Sequence, residues 1–214
     1  MENISESYLK YTQRKVFIIC LLVLLTILLD VYAINAGSAE LSPAQVLLTL
    51  LGKAEGRLNI IIWNIRLPRV LAAITAGVGL SVAGCVMQNL LRNPLASPFT
   101  LGISQGAAFG AAVAIIALGA ESTHSTSADA VIINNPYLVT ISAFVGAMAT
   151  TLVVLFLAQA RGVTPEAMVL AGVALGSLFS AATIILQFFA GDVQVASVVF
   201  WTFGDIGRAS WQDM

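Results

Sequence analysis

Long apolar runs, bounded by charges, prolines or polar clusters, dominate the chain. A helix needs about 20 mostly apolar residues to cross the hydrocarbon core of a bilayer. Five runs reach that length: Val16 to Asn35, Val70 to Leu91, Phe99 to Leu118, Tyr137 to Ala158 and Ala167 to Phe189. A sixth, Val193 to Phe203, is too short to span and reads as a half-helix at the interface, with Trp201 and Trp211 as candidate anchors. Between the first two runs, Ser42-Pro43, then Ala44 to Leu51 and Gly52, supply an N-cap, a first-turn proline and a terminal glycine. That predicts a short surface helix. The expected fold is all-α: a polytopic transmembrane helical bundle of five spanning helices plus a short interfacial helix, in a single domain over residues 1–214.

Within the runs, small residues recur every fourth position, on one helix face, where they let backbones approach closely. The third run carries Gly102, Gly106, Gly110 and Ala114; the second Gly77, Ser81 and Cys85; the fourth Ser142, Gly146 and Thr150; the fifth Gly172, Gly176 and Ser180. They serve helix packing or the wall of a path, and spacing alone does not choose. Unpaired polar groups cost several kcal/mol in hydrocarbon, so Gln88, Asn89, Ser104, Gln105 and Gln187 are expected to face protein or a wet cavity. Asp30 is the only mid-run charge, near the end of the first run. A proton relay has little to run on, which weighs against a secondary carrier.

Composition agrees. The chain is 58% hydrophobic and 10% charged, whereas soluble domains carry roughly 45–50% apolar and about 25% charged residues. A net charge of -1 offers no face for nucleic acid. Cys20 and Cys85 lie in apolar runs and His124 stands in a polar loop with no second ligand nearby, so neither a disulfide nor a metal site is expected. The stretch from Ala33 to Ala39 imitates a signal-peptide cleavage site. The first run nevertheless passes through Asp30 and Tyr32, and four further spans follow. Lys10, Arg14 and Lys15 favour a cytoplasmic N-terminus. Counted that way, Arg92 and Arg161 join them inside while Lys53, Arg57, Arg66, Arg69 and Arg208 fall outside, a tie that leaves a basic outer connection to be explained.

Three local patterns stand out. Arg66-Leu-Pro-Arg69 opens the second span, with Pro68 expected to fix its start; the arginines are head-group anchors or a platform for an acidic partner. Asn93-Pro94-Leu-Ala-Ser-Pro98 predicts a tight turn. Thr164-Pro165-Glu166 reads as N-cap, first-turn proline and first-turn acid. No Walker motif and no catalytic constellation is present, so this is read as a transport subunit and not an enzyme, and any energy source belongs to another chain.

The string from Arg66-Leu-Pro-Arg69 through Gly84-Cys-Val-Met-Gln88, Arg92-Asn-Pro-Leu-Ala96, Pro98 and Leu101-Gly102 to Gly106-Ala107 resembles the FecCD-type ABC transporter permeases, which import ferric siderophores, haem and cobalamin. Leu170 to Gly176 and Trp201-Thr-Phe-Gly204 with Ser210-Trp211 are similar to later stretches of that family. The resemblance implies a homodimeric cell-membrane permease with roughly twice these helices per subunit. Its partners would be a cytoplasmic ATP-binding cassette ATPase, which holds the ATP, and an external substrate-binding protein. It further implies that Arg66 and Arg69 dock the binding protein. Gln88, Asn93, Pro94, Gly102, Gly106, Gly110, Gly172 and Gly176 would serve the path or its packing, and Thr164, Pro165 and Glu166 the cytoplasmic gate region. Proline and glutamate there depart from the small polar residues expected of a gate. Family members are longer, so the chain is expected to be a C-terminally truncated permease. Iron would travel chelated, with no cofactor and no metal ligand in this chain.

Overall fold

A computed structural model describes residues 4–37, 41–53, 56–120, 135–159 and 164–211. His124, Arg161 and Ala39 lie outside the described residues. Every regular element among the described residues is helical. In chain order they are α1 (Ile4–Asn35), α2 (Pro43–Leu50), α3 (Arg57–Leu90), α4 (Ile103–Ala117), α5 (Pro136–Ala158), α6 (Pro165–Phe188) and α7 (Asp192–Phe203), followed by one 3-10 turn at Ile206–Arg208. Two compact units result, Met1–Ala76 with Ile206–Met214, and Gly77–Asp205.

In the first unit α1 is long, apolar and almost wholly exposed, as a helix facing lipid must be. Helix α2 follows the expected cap chemistry. The Ser42 N–H donates to the Gln45 side chain at 3.0 Å, and the C-terminus closes with Gly52 N–H to Thr49 O at 3.0 Å and Lys53 N–H to Leu48 O at 2.9 Å. The second span departs from expectation. Pro68 does not start the helix, which begins at Arg57 and runs unbroken to Leu90. The residues just before the proline, Ile60–Arg66, form a π turn. A proline inside a helix lacks one donor and its ring crowds the preceding turn; the wider π turn relieves the crowding, while the missing donor leaves the Trp63 carbonyl without a partner inside the helix.

In the second unit α3 ends on Arg92, which takes φ 47°. The Asn93 N–H returns to Gln88 O at 3.1 Å and the Arg92 N–H to Asn89 O at 3.3 Å, the paired bonds of a Schellman cap. The third expected span, Phe99 to Leu118, is a shorter helix. Pro94 and Pro98 deny the early part its donors, so 91–102 is a string of turns and α4 starts only at Ile103, after Gly102 at φ 70°. Among the described residues four helices, not five, are therefore long and apolar enough to cross a membrane. Helix α4 is instead the centre of the packing. Ala111, Ala112, Ala114 and Ile115 are buried with Val139 and Ala143 of α5 and Val198 of α7, and Phe109 meets Phe179 of α6 at 5.5 Å between ring centroids. Leu91, Ala96 and Leu101 of the turn form a second cluster with Val154.

Candidate functional site

The first unit holds an open cleft of about 920 Å³ between the end of α1 and the start of α3, lined by Asp30, Ala33, Arg57, Ile61, Arg66 and Arg69 among others. Its two motif arginines are placed differently. Arg66 is 8% exposed and its guanidinium donates to the carbonyls of Ile34 at 2.6 Å and Asn35 at 2.9 Å. Those are among the last carbonyls of α1, left open by the end of the helix and carrying its negative dipole end, so a guanidinium there caps it. Arg69 is exposed. Arg57, which the motif does not include, shares the cleft and is also exposed.

The second unit holds a groove of about 730 Å³ between α4, α6 and α7. Ser104, Gln105, Ser180, Thr183, Gln187 and Thr202 line it, between Phe99, Trp201 and Phe203. Three of the polar residues expected to face a wet cavity, Ser104, Gln105 and Gln187, thus share one surface. No lining residue is ionisable. Gln105 Oε1 is buried and has no hydrogen-bond partner among the described residues, an acceptor costly to leave unmet. A smaller hollow sharing Phe99, Gln105, Ser180 and Ile184 extends along α6 past Gly176 to Gly172. Trp201 packs partly buried on the alanine core instead of standing free as an anchor.

The other polar candidates are spent on backbone. Gln88 Nε2 donates to Pro94 O at 3.0 Å, Asn89 Nδ2 to Cys85 O at 2.8 Å, and Asn93 Oδ1 accepts the Leu95 N–H at 2.9 Å, which together shape the turn. Thr164 Oγ1 accepts the Ala167 N–H at 3.4 Å, with Pro165 at the first helical position and Glu166 exposed in the first turn. The glycines divide by neighbour. Gly106 and Gly110 lie against the backbone of Gly146, Ser142 and Ala143 on α5, whereas Gly102 lies against Gly172 and Gly176 of α6. The Gly77 stripe of α3 meets nothing within 4 Å of its added Cβ. Reading the sequence missed Arg57 in the cleft, Thr183 and Thr202 in the groove, and the bond from Trp211 Nε1 to Trp63 O at 2.7 Å. Only the four-residue stripe of Gly172, Gly176 and Ser180 hinted at the groove wall.

Apolar helices long enough to span a membrane, with helices packed backbone to backbone beside them, define a multi-pass α-helical membrane protein. Residues 21–214 match the model of the FecCD transport family. The chain belongs to that family. A protein of Methanocaldococcus jannaschii named as an ABC transporter permease is 50% identical over 99% of this chain and 60% of its own length. An Fe(3+)-citrate import system permease of Bacillus subtilis is 34% identical over 94% of this chain and 56% of its own length. A vitamin B12 import system permease of Vibrio vulnificus is 34% identical over 89% and 53%. A solved inward-facing ABC transporter of the metal-chelate type superposes at a TM-score of 0.71 with 27% identity, covering 91% of this chain and 55% of that one. The chain therefore spans between half and two thirds of the length of these relatives.

Proposed function

We propose that this chain is the membrane-spanning permease part of an ATP-driven importer that moves a chelated iron cargo of the ferric-siderophore type, handed over by an external binding protein. The observation that carries the reading is the groove. Its hydroxyls and amides solvate a bulky hydrogen-bonding cargo, while the absence of charge among its lining residues offers no ligand to compete for the metal. The iron would pass as a saturated chelate. Hydrolysis of ATP is assigned to a separate cytoplasmic ATPase and the path to a pair of permease subunits, with the N-terminus cytoplasmic and the arginine cleft external. The family's B12 permeases support a second cargo reading, a corrinoid of similar bulk. Proteoliposomes holding the assembled permease with its ATPase and binding protein test both: uptake of ferric siderophore is expected only with ATP and binding protein. Uptake without either means a carrier or channel and overturns the reading.

A further inference from the structure

Two hydroxyls on the groove between α4, α6 and α7 have already committed their protons. Thr183 Oγ1 donates to Phe179 O at 2.8 Å and Thr202 Oγ1 to Val198 O at 2.8 Å, each to a carbonyl one turn back on its own helix. A hydroxyl so engaged keeps its lone pairs but has no hydrogen left to give, so it serves a ligand only as an acceptor. Gln105 Oε1 is a third acceptor, buried and unmet among the described residues. Its side chain lies on α6 where the backbone is bare: a Cβ added to Gly176 would come to 3.5 Å from Gln105 Cδ. Gln105 thus lines both the groove and the smaller hollow that continues along α6.

The remaining donors on the lining, the hydroxyls of Ser104 and Ser180 and the amides of Gln105 and Gln187, are neutral. Neither the groove nor the hollow has an ionisable residue in its lining. Asp192 at the start of α7 and Asp205 just past its end are both acidic, and neither lines the groove. A charged cargo entering here gives up hydration and gains no countercharge, a loss that hydrogen bonds to neutral groups offset only in part. An anion fares worst, because its rim is made of acceptors and meets acceptors. A cargo of zero net charge escapes that loss, and each N–H on its rim can satisfy one of the three oxygens. Phe99, Trp201 and Phe203 offer apolar faces to its hydrocarbon spacers.

Three hydroxamates cancel the charge of Fe(III), whereas three catecholates leave an excess of negative charge. We propose that the groove is selective for the first class, an uncharged ferric trihydroxamate carrying amide N–H groups, and that Gln105 is its specificity-determining residue. That the cargo is a ferric chelate rests on the importer reading; the preference for zero charge does not.

One scaffold in three charge states tests this. A linear ferric trihydroxamate with its terminal amine free, acetylated or succinylated carries a positive charge, none or a negative charge at almost the same size. In the permease in nanodiscs, with Cys20→Ser and Cys85→Ser, the variants Gln187→Cys and Ser180→Cys report occupancy through their modification by an uncharged maleimide. At equal concentration the acetylated chelate is expected to slow modification about tenfold more than the succinylated one, and to leave Val145→Cys untouched. Equal protection by the two, stronger protection by the succinylated form, or none by either overturns the selectivity. Adding Gln105→Met keeps the bulk and removes the amide. It is expected to cut the acetylated chelate's protection about fivefold without lowering the melting midpoint, since an unmet oxygen stabilises nothing at rest. Undiminished protection, or a lowered midpoint with protection lost alike for all three chelates, overturns the role of Gln105. In proteoliposomes with the ATPase and binding protein, protection without ATP-driven uptake leaves the charge preference standing and overturns the importer reading instead.

Discussion

At Gly110 an added Cβ would meet the backbone of Ser142 and Ala143, and at Gly146 the backbone of Gly106 and Gly110, whereas at Gly77 and Gly84 it would meet nothing within 4 Å. Backbone cannot swing aside as a flexible side chain does, so Gly110→Ala or Gly146→Ala should cost about 1–3 kcal/mol. Gly77→Ala should change stability by less than about 0.5 kcal/mol. Reversible unfolding in mixed micelles separates the two classes; equal losses would refute the packing described for α4. Arg66 makes a second residue-level forecast. Arg66→Gln removes charge-assisted bonds to two half-buried carbonyls and should cost about 1.5–3 kcal/mol, while Arg69→Gln should leave the melting midpoint within error. The four-residue stripes were legible because one helix face is marked whatever packs on it. Which helix would pack there was not, since Gly102 and Gly106 share a stripe yet meet different neighbours, α6 and α5.

Element boundaries were legible where a cap has its own chemistry and obscure where only hydropathy spoke. Ser42 and Thr164 each mark a start that the structure keeps. Counting apolar residues could not reveal that Phe99 to Gly102 would be turn, because the count does not register φ, and it could not place a π turn ahead of Pro68. The groove illustrates the same division. Ser104, Gln105 and Gln187 announced themselves as polar residues in lipid, but Thr183 was hidden, since a hydroxyl in a spanning helix satisfies itself on its own backbone, as Thr183 Oγ1 does with Phe179 O at 2.8 Å. If the groove is the wet wall of a path, Thr183→Cys and Gln187→Cys, in a chain with Cys20→Ser and Cys85→Ser, should react with a charged thiol reagent about tenfold faster than Val145→Cys on the exposed apolar face of α5. Equal rates would remove the groove from the path.

For the whole molecule, hydropathy sufficed to declare a helical membrane protein, and the arginine, proline and glycine motifs sufficed for the family. Sidedness was beyond the charge count, since basic residues divided evenly between the two faces. The proposed orientation has a direct check in intact cells: an impermeant reagent should label Arg57→Cys and spare Lys10→Cys, and the reverse pattern would invert the topology. The wide turn ahead of Pro68 carries a last consequence, in genetic terms. It behaves as one inserted codon in an otherwise regular helix. An in-frame loss of a single residue between Ile60 and Asn64 would leave the flanking run as hydrophobic as before, so the mutant chain would be synthesised, inserted and counted in any abundance screen. A regular helix one residue shorter keeps the rotation of the wide-turned one, so Arg57 and Arg69 would keep their bearing to each other, and the lesion would surface only in the carbonyl bonds ahead of Pro68.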